Sequence, residues 1–253
     1  MTQSQLPRVL VGIVTYSGKD YIFDRCLAAV KRFDYPKHLY DVLVVDNSEG
    51  NNYARKLRRR HPGLKVVTVG RHEDYKVSIT RAQNYCRKNL LEGDYSHLLF
   101  VESDLLPDSQ ALKRLLAHDK PVVGSTYFLG TQDLKLPCIF IEEENDKFQT
   151  MAKLLGKKPS PENPGKFIAD FKEVQEWMGT GLRKCHGCGF GVTLIRKDIV
   201  ERFPFWFDKE FPRKFSDSYF FLDLSRNKVP VFVDTDYIIP HYPSERIWKD
   251  DKK

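Results

Sequence analysis

The sequence predicts one α/β domain built on a parallel sheet, and three observations lead to this expectation. Over the first 125 residues, short apolar runs alternate with segments that have helical periodicity. The runs at residues 8–14 and 41–45 are almost continuously apolar, as expected for strands covered by helices on both faces. Polar residues follow directly where these runs end. Such alternation is typical of parallel strands joined by crossover helices.

The elements of the first half follow one another in a regular order. The predicted strands span residues 8–14, 41–45, 65–69 and 97–101, and a fifth strand starts at 122–123. The predicted helices span residues 21–33, 52–60, 78–91 and 107–117. Their assignment depends on apolar residues that share one face, which in the first helix are Ile22, Cys26, Ala29, Val30 and Phe33. Ser78 is expected to cap the third helix, since serine is a favoured N-cap residue.

The second half has a different character. Residues 142–184 are charged and rich in glycine and proline, with one weak helical segment at 167–178. We interpret them as an insertion that is mobile or faces an acceptor, rather than as a separate domain. Ordered structure is expected to resume at 187–195 and again at 229–233. The chain is therefore interpreted as a single domain over residues 1–253, with halves at 1–125 and 126–253.

Composition and charge narrow the class of protein. A content of 41% hydrophobic residues excludes a disordered or fibrous chain. No apolar run reaches the ~18 residues of a transmembrane helix, and residues 1–7 do not resemble a signal peptide. Five cysteines, an odd number, argue against a secreted disulfide framework. We therefore expect a cytoplasmic location, or a host cytoplasm if the chain is viral.

The positive charge is concentrated in the first half. Residues 1–93 hold 17 lysines and arginines against 9 acidic residues, whereas the net charge of the whole chain is +7. Such a surplus suits the phosphates of a nucleotide or a polyanionic partner. It is equally compatible with a solvated surface that keeps the protein soluble.

Three polar clusters end three of the predicted strands. They are Thr15-Tyr16, Asp46-Asn47 and Glu102-Ser103-Asp104. Ligands of open α/β sheets bind beyond the carboxyl ends of the strands, so these clusters are expected to face one cleft. Acidic residues at strand ends are also common turn formers, and a strand-end acid alone is a weak signal.

The order of these segments resembles the GT-A glycosyltransferases, specifically the inverting, family-2-like members. The segments VGIVTY, VLVVDNS, SITRAQN and LLFVESD match the order and spacing of that family's nucleotide-binding half. Glu102-x-Asp104 resembles its DXD signature, with Glu in the first place. The resemblance implies a GT-A fold with a mixed sheet, in which residues 1–125 bind a nucleotide sugar and residues 126–253 carry the acceptor side.

The resemblance also implies roles for individual residues of the first half. Asp104 would be a ligand of Mn²⁺ or Mg²⁺, whereas Glu102 would contact ribose or a metal-bound water. The other implied nucleotide-sugar contacts are Thr15, Tyr16, Asp46, Asn47, Arg81, Asn84 and Ser103. Arg71 and Lys76 could reach phosphates. No cluster of lysines or arginines near Asp104 looks able to take the place of a cation.

The second half supplies the remaining implied residues. Residues 216–220 resemble the family's Glu-Asp-x-x-Phe motif, although Ser216 replaces the Glu, and Asp217 would then be the catalytic base. An aspartate at a helix start is equally suited to be an N-cap. His241 would be a second metal ligand, or is a surface histidine. Gly187 would let the backbone approach the donor sugar. Cys185-x-x-Cys188 invites a zinc interpretation, but the sequence shows no second pair of ligands.

These features predict a metal-dependent, inverting hexosyltransferase that uses a UDP-type sugar. The acceptor is either a saccharide or, as for some viral enzymes, DNA with hydroxymethylated bases. The basic run at residues 55–61 suits phosphate contacts, and is also a plausible solvated helix face. A non-catalytic nucleotide- or glycan-binding module is the alternative of another class. A nucleotidyltransferase is disfavoured because its glycine-rich basic loop is missing after the first strand.

Overall fold

The computed structural model describes residues 6–130, 135–144, 150–162, 166–208 and 215–250. Its strands are β1 (Val9–Thr15), β2 (Tyr40–Asp46), β3 (Lys65–Thr68), β4 (His97–Glu102), β5 (Val122–Thr126), β6 (Phe128–Gly130), β7 (Lys135–Pro137), β8 (Phe140–Glu144), β9 (Thr150–Leu154), β10 (Lys157–Pro159), β11 (Phe167–Ala169), β12 (Leu182–Cys185), β13 (Val192–Arg196) and β14 (Val231–Ile238). Its helices are α1 (Asp20–Lys31), α2 (Asn52–Arg60), α3 (Tyr75–Glu92), α4 (Ala111–Ala117), α5 (Phe171–Trp177), α6 (Lys197–Arg202), α7 (Ser216–Arg226) and α8 (Glu245–Asp250). No helix among these residues is long and apolar enough to cross a membrane.

An eight-stranded mixed sheet organises the molecule, in the order β12-β14-β5-β13-β4-β1-β2-β3. Strands β4, β1, β2 and β3 are parallel neighbours, and β14 runs parallel to β5. Strand β13 is antiparallel between β4 and β5, and β12 is antiparallel on the edge. The predicted α/β class with a mixed sheet is confirmed.

The central strands are buried on both faces, which explains their continuous apolar runs. In β4, Leu99 and Val101 pack in one core, whereas Leu98 and Phe100 pack in the other. Because side chains alternate across a strand, a two-sided core requires apolar residues at every position. Helix α3 comes so close to β1 that a Cβ on Gly12 would lie 2.8 Å from the sulfur of Cys86.

Two helices begin at different residues from those predicted. Helix α3 begins at Tyr75, where Asp74 is the N-cap and its carboxylate accepts from the backbone N–H of Lys76 at 2.9 Å. Ser78 lies inside the first turn, and its hydroxyl accepts from the backbone N–H of His72. Helix α4 begins at Ala111, after a turn in which Asp108 accepts from the N–H of Gln110.

The predicted insertion at 142–184 has more regular structure than its composition indicates. It contributes to the hairpin of β8 and β9, contains the pair of β10 and β11, and ends in β12, which joins the main sheet. The predicted helical segment at 167–178 divides into β11 and α5. Leu155 and Val174 bury their side chains in the core. Residues 145–149 and 163–165 lie outside the described part, and the mobility of the insertion stays a prediction.

Candidate active site

The carboxyl ends of β1, β2 and β4 meet at a cleft of about 230 Å³. Its lining includes residues from all three predicted polar clusters, together with α3 and the segment before β13. These residues are Val14, Thr15, Tyr16, Lys19, Asn47, Ile79, Gln83, Phe100, Val101, Glu102, Ser103, Asp104 and Phe190. The parallel register of the three strands places their last residues side by side. The structure therefore brings the strand-end clusters together, as the topology requires.

At the β2 end, the site contains buried acceptor atoms that lack a partner. Asp46 is fully buried, and one carboxylate oxygen accepts from the backbone N–H of Ser48 at 2.8 Å. Burial raises the pKa of Asp46, and the bonds to Ser48 oppose this shift. Among the described residues, the second oxygen of Asp46 and Oδ1 of Asn47 have no hydrogen-bond partner. Buried acceptors of this kind are expected to be satisfied by a ligand or water.

Aromatic and cationic side chains lie along the rim next to this end. Tyr16 is 38% exposed, and the Arg71 guanidinium lies 5.8 Å from the centre of its ring. The same guanidinium lies 5.9 Å from the ring of Tyr75. Lys76 is buried with its ammonium 5.4 Å from the ring of Phe215. Arg71 therefore lies beside Tyr16, whereas Lys76 faces the start of α7, and the predicted phosphate contacts of both residues stay a prediction.

Glu102, Asp104 and His241 form a cluster whose ligand atoms all lie within 4.8 Å of one another. Antiparallel pairing of Leu105 with His241 brings the distant histidine to the end of β4. Nδ1 of His241 is 2.8 Å from the carbonyl oxygen of Phe128, and because a carbonyl only accepts, Nδ1 carries the hydrogen of this bond. Nε2 then faces Asp104 at 3.4 Å. Orientation by a backbone carbonyl is typical of metal-binding histidines.

Electrostatics in this cluster favour a cation. Burial, reinforced by the charge of Asp104, raises the pKa of Glu102 to about 7. Burial alone would raise the pKa of Asp104, but the hydrogen bond with His241 and the charge of Lys19 lower it. Burial would lower the pKa of His241, and the bond to Asp104 outweighs that effect and raises it. Two carboxylates and an imidazole are suitable ligands for Mn²⁺ or Mg²⁺.

Sequence reasoning missed Lys19. Its ammonium lies 2.5 Å from Oδ2 of Asp104 and 2.9 Å from the carbonyl oxygen of Pro243. A single lysine therefore lies beside Asp104, where the sequence had predicted that no cluster of lysines or arginines could take the place of a cation. The available signal was its place in the sequence, since Lys19 closes the 3₁₀ turn Ser17–Lys19 just after β1, at the same sheet edge as Asp104.

Asp217 is the second residue of α7, and the N-cap position is occupied by Phe215. The N-cap interpretation of Asp217 is therefore wrong. The start of α7 is fixed to α3 by a hydrogen bond from the hydroxyl of Ser216 to Gln83. Burial raises the pKa of Asp217, although the backbone N–H of Ser218 donates to its carboxylate. Its negative charge contributes to the raised pKa of Glu102, so Asp217 lies within electrostatic reach of the cluster.

Three candidate residues lie elsewhere. Arg81 is exposed on α3, on a different face from Ile79 and Gln83, which line the cleft. The amide of Asn84 is bonded to both backbone groups of Phe205, so it fastens the segment that leads towards α7.

Gly187 packs against α7. A Cβ on this residue would lie 2.8 Å from the ring of Phe221, and its carbonyl accepts from the N–H of Phe140. The structure thus explains the glycine by packing. The zinc interpretation of Cys185 and Cys188 gains no support, because Glu102, Asp104 and His241 are the one group among the described residues with metal-binding spacing.

A mixed sheet with an acidic pair at the carboxyl end of β4 defines a GT-A-like fold, and the comparisons with known proteins agree. S. aureus TarS superposes with a TM-score of 0.55 and 15% identity, over 96% of this chain and 38% of TarS. Residues 1–349 of TarS in complex with UDP give a TM-score of 0.54 and 16% identity, over 92% and 59% of the two chains. The mannosyltransferase PcManGT from Pyrobaculum calidifontis, in complex with GDP-Man and Mn²⁺, gives 0.56 and 15%, over 96% and 59%.

One curated relative is similar in sequence. The glycosyltransferase AglE of Haloferax volcanii is 32% identical over 114 residues, which are 44% of this chain and 35% of AglE. No protein-family model matches the chain. The chain thus spans about a third of the curated relative and between 38% and 59% of these solved structures. AglE is thus a glycosyltransferase and PcManGT a mannosyltransferase with a bound nucleotide sugar, while TarS binds the nucleotide UDP.

Proposed function

We propose that this chain transfers a sugar from a nucleotide-diphosphate sugar to an acceptor hydroxyl with the help of a divalent cation. The observation that carries the proposal is the convergence of Glu102, Asp104 and His241 at the carboxyl edge of a GT-A-like sheet. The neighbours with UDP, and with GDP-Man and Mn²⁺, support the same chemistry.

The donor nucleotide would lie across the ends of β1 and β2, near Thr15 and Tyr16. We favour uracil as its base because Asp46 keeps one carboxylate oxygen without a partner. That single acceptor matches the one N–H of the uracil edge. Asn47 offers a second buried acceptor for the base or ribose.

The residues present fit a divalent cation. Asp104 and Nε2 of His241 would hold it, with Glu102 and Ser103 close to the bound donor. When bound, the ion neutralises the negative charge of the departing diphosphate. An imidazole ligand suits Mn²⁺ better than Mg²⁺.

Asp217 would act as the general base in a single displacement with inversion. Its carboxylate takes the proton of the acceptor hydroxyl, the hydroxyl oxygen attacks the anomeric carbon, and the bond to the diphosphate oxygen breaks. A pKa raised by burial brings this carboxyl closer to the working pH, which improves general-base catalysis. The start of α7 is fixed to α3 by the hydrogen bond from Ser216 to Gln83, and Gln83 lines the cleft.

A saccharide acceptor fits the structure better than DNA. Most of the basic run on α2 makes internal contacts. Arg58 donates twice to the carbonyl of Val66, while Lys56 and Arg60 both pair with Asp20. Lys56 and Arg60 are thus already paired with a carboxylate, and donors of Arg58 are engaged by a carbonyl, so the run is poorly arranged to bind a phosphate backbone.

The test is incubation of the purified chain with a panel of UDP- and GDP-sugars and Mn²⁺, with and without saccharide acceptors, read by mass spectrometry. We expect release of nucleotide diphosphate from a UDP-sugar, and a mass increase of one hexose on an acceptor. Asp217→Asn is the matched control, which should bind donor and release little nucleotide. Failure of every donor to bind or react would contradict the proposal.

A further inference from the structure

We propose that Lys19 is a built-in counter-ion of the cation site, which must leave Asp104 before a divalent cation binds and then moves to the donor diphosphate. This inference rests on the proposed function and deepens it. Its consequence is that metal binding becomes conditional on the nucleotide. Without donor, the ammonium keeps the cation out.

The first support is the oxygen atom of Asp104 that Lys19 contacts. Lys19 and His241 both face the same oxygen of Asp104, Oδ2, at 2.5 Å and 3.4 Å. A cation held by Asp104 and His241 would have to share this oxygen with the ammonium of Lys19. An ammonium at 2.5 Å from that oxygen would then be a near neighbour of like charge, where little solvent screens the repulsion.

Burial makes the competition effective. The side chain of Lys19 is 17% exposed and that of Asp104 is 7% exposed. The carbonyl of Pro243 fixes the ammonium from a second side. An ion pair so enclosed is not replaced simply by water, since a lone buried carboxylate is costly. The cation must therefore displace a specific partner, and Lys19 must receive another anion.

The diphosphate of the donor can be that anion, because of where Lys19 lies. Lys19 lines the same cleft as Tyr16 and Asn47, where the nucleotide is proposed to bind. Its flexible stem carries a compact charge that suits phosphate oxygens. When the diphosphate and the divalent ion arrive together, their charges largely cancel, and transfer of Lys19 from carboxylate to phosphate leaves every charge paired.

Titration of Mn²⁺ followed by electron paramagnetic resonance, with and without UDP, tests this exchange. In wild type we expect weak Mn²⁺ binding alone and about tenfold or greater tightening by UDP, within the usual range of coupling factors. Lys19→Met should bind Mn²⁺ about tenfold more tightly without UDP, and UDP should tighten it much less. Lys31→Met, an exposed lysine of α1, should behave like wild type.

The outcomes are distinguishable. Equal Mn²⁺ affinity of wild type and Lys19→Met without UDP, or equal tightening by UDP, would overturn the role of Lys19 while leaving the cation site intact. Absence of Mn²⁺ binding to either protein, even with UDP, would overturn the cation site itself. Lys19→Gln is the second variant, and circular dichroism verifies that each variant is folded.

Discussion

Two buried aspartates in this molecule are each contacted by one cation and one histidine, yet they differ in what they can do. Asp104 has Lys19 and His241 as partners. Asp234, on β14, has Arg114 and His118. Both carboxylates are almost fully buried, with 7% and 1% of their side chains exposed. Residue types alone do not separate the two clusters.

The difference lies in how the partners share the oxygens. Arg114 binds both oxygens of Asp234 through its planar fork, at 2.6 and 3.0 Å. The backbone N–H of Asp236 adds a further bond to Oδ1. At Asp104, the side-chain partners converge on Oδ2, the cation is a flexible lysine, and a second carboxylate, Glu102, lies beside it. A carboxylate with partners on both oxygens, such as Asp234, stabilises the fold. A carboxylate whose side-chain partners share one oxygen, such as Asp104, can exchange its cation.

The largest expected effect is that of Asp104→Asn on transfer. Loss of the cation from the diphosphate should lower turnover about a thousandfold, which corresponds to ~4 kcal/mol of lost charge stabilisation. The thermal midpoint should also fall, because the variant leaves the largely buried ammonium of Lys19 without its carboxylate partner. Donor turnover with Mn²⁺ and a melting curve measure both. Full turnover in this variant would mean that Asp104, like Asp234, has only a structural role.

Asp217→Asn should lower turnover by about a hundredfold or more, the scale of a lost general base. Donor affinity should stay unchanged, since the nucleotide is proposed to bind at the ends of β1 and β2. Single-turnover kinetics together with calorimetric titration of UDP separate the two quantities. A parallel fall in donor affinity would mean that Asp217 binds donor and the base lies elsewhere.

Asp234→Asn should act on stability alone and leave turnover unchanged. The expected loss is about 2 kcal/mol of unfolding free energy, less than for a fully buried ion pair, because Arg114 is 39% exposed. Denaturant unfolding gives this value, and turnover per folded molecule should equal wild type. An unchanged unfolding midpoint would show that the paired hydrogen bonds between Arg114 and Asp234 are not needed for stability.

The smallest expected effect is the pH dependence of thermal stability, which has opposite signs for Glu102 and Asp234. The pKa of Glu102 in the folded protein is about 7, above its value in the unfolded chain. Its contribution to the stability of the fold is therefore fully present at low pH and is lost as the pH rises through about 7. Glu102→Gln should therefore melt a few degrees above wild type at about pH 8.5 and equal to it near pH 4, without divalent ions.

Asp234 provides the reverse case in the same experiment. Its pKa is lowered: burial opposes the shift, but the bonds from Arg114 and His118 outweigh it. Its contribution is present above the unfolded pKa and is lost as the pH falls through the folded one. The deficit of Asp234→Asn should shrink towards acid. If the change in melting temperature relative to wild type followed the same pH trend in Glu102→Gln and Asp234→Asn, the electrostatic difference would be contradicted.

Much of the fold was predictable because burial leaves a direct pattern. The apolar runs of β1, β2 and β4 follow from cores on both faces, and α2 has the predicted bounds. The start of α3 was wrong because Asp74 and Ser78 are both good capping residues, and local sequence does not rank them. The short hairpins within 142–184 were missed because their strands span three to five residues, too few for a period to show.

The part of the site at the carboxyl ends of the strands was predictable, because the sheet topology brings these ends together. The strand-end rule leads to Thr15, Asn47 and Asp104, which line one cleft. His241 and Asp217 came from the family resemblance. His241 reaches the end of β4 by long-range pairing with Leu105, which leaves no local pattern in the sequence. The same resemblance suggested Arg81, but its helical phase turns it to solvent.

The most direct test of the cation site compares donor turnover with Mn²⁺ and with EDTA. The chain is incubated with a UDP-sugar, and release of UDP is followed in both conditions. We predict turnover with Mn²⁺, loss of about a hundredfold or more in EDTA, and full recovery when excess Mn²⁺ is restored. Undiminished turnover in EDTA would contradict the account, and would mean that Lys19 and His241, rather than a bound ion, stabilise the departing diphosphate.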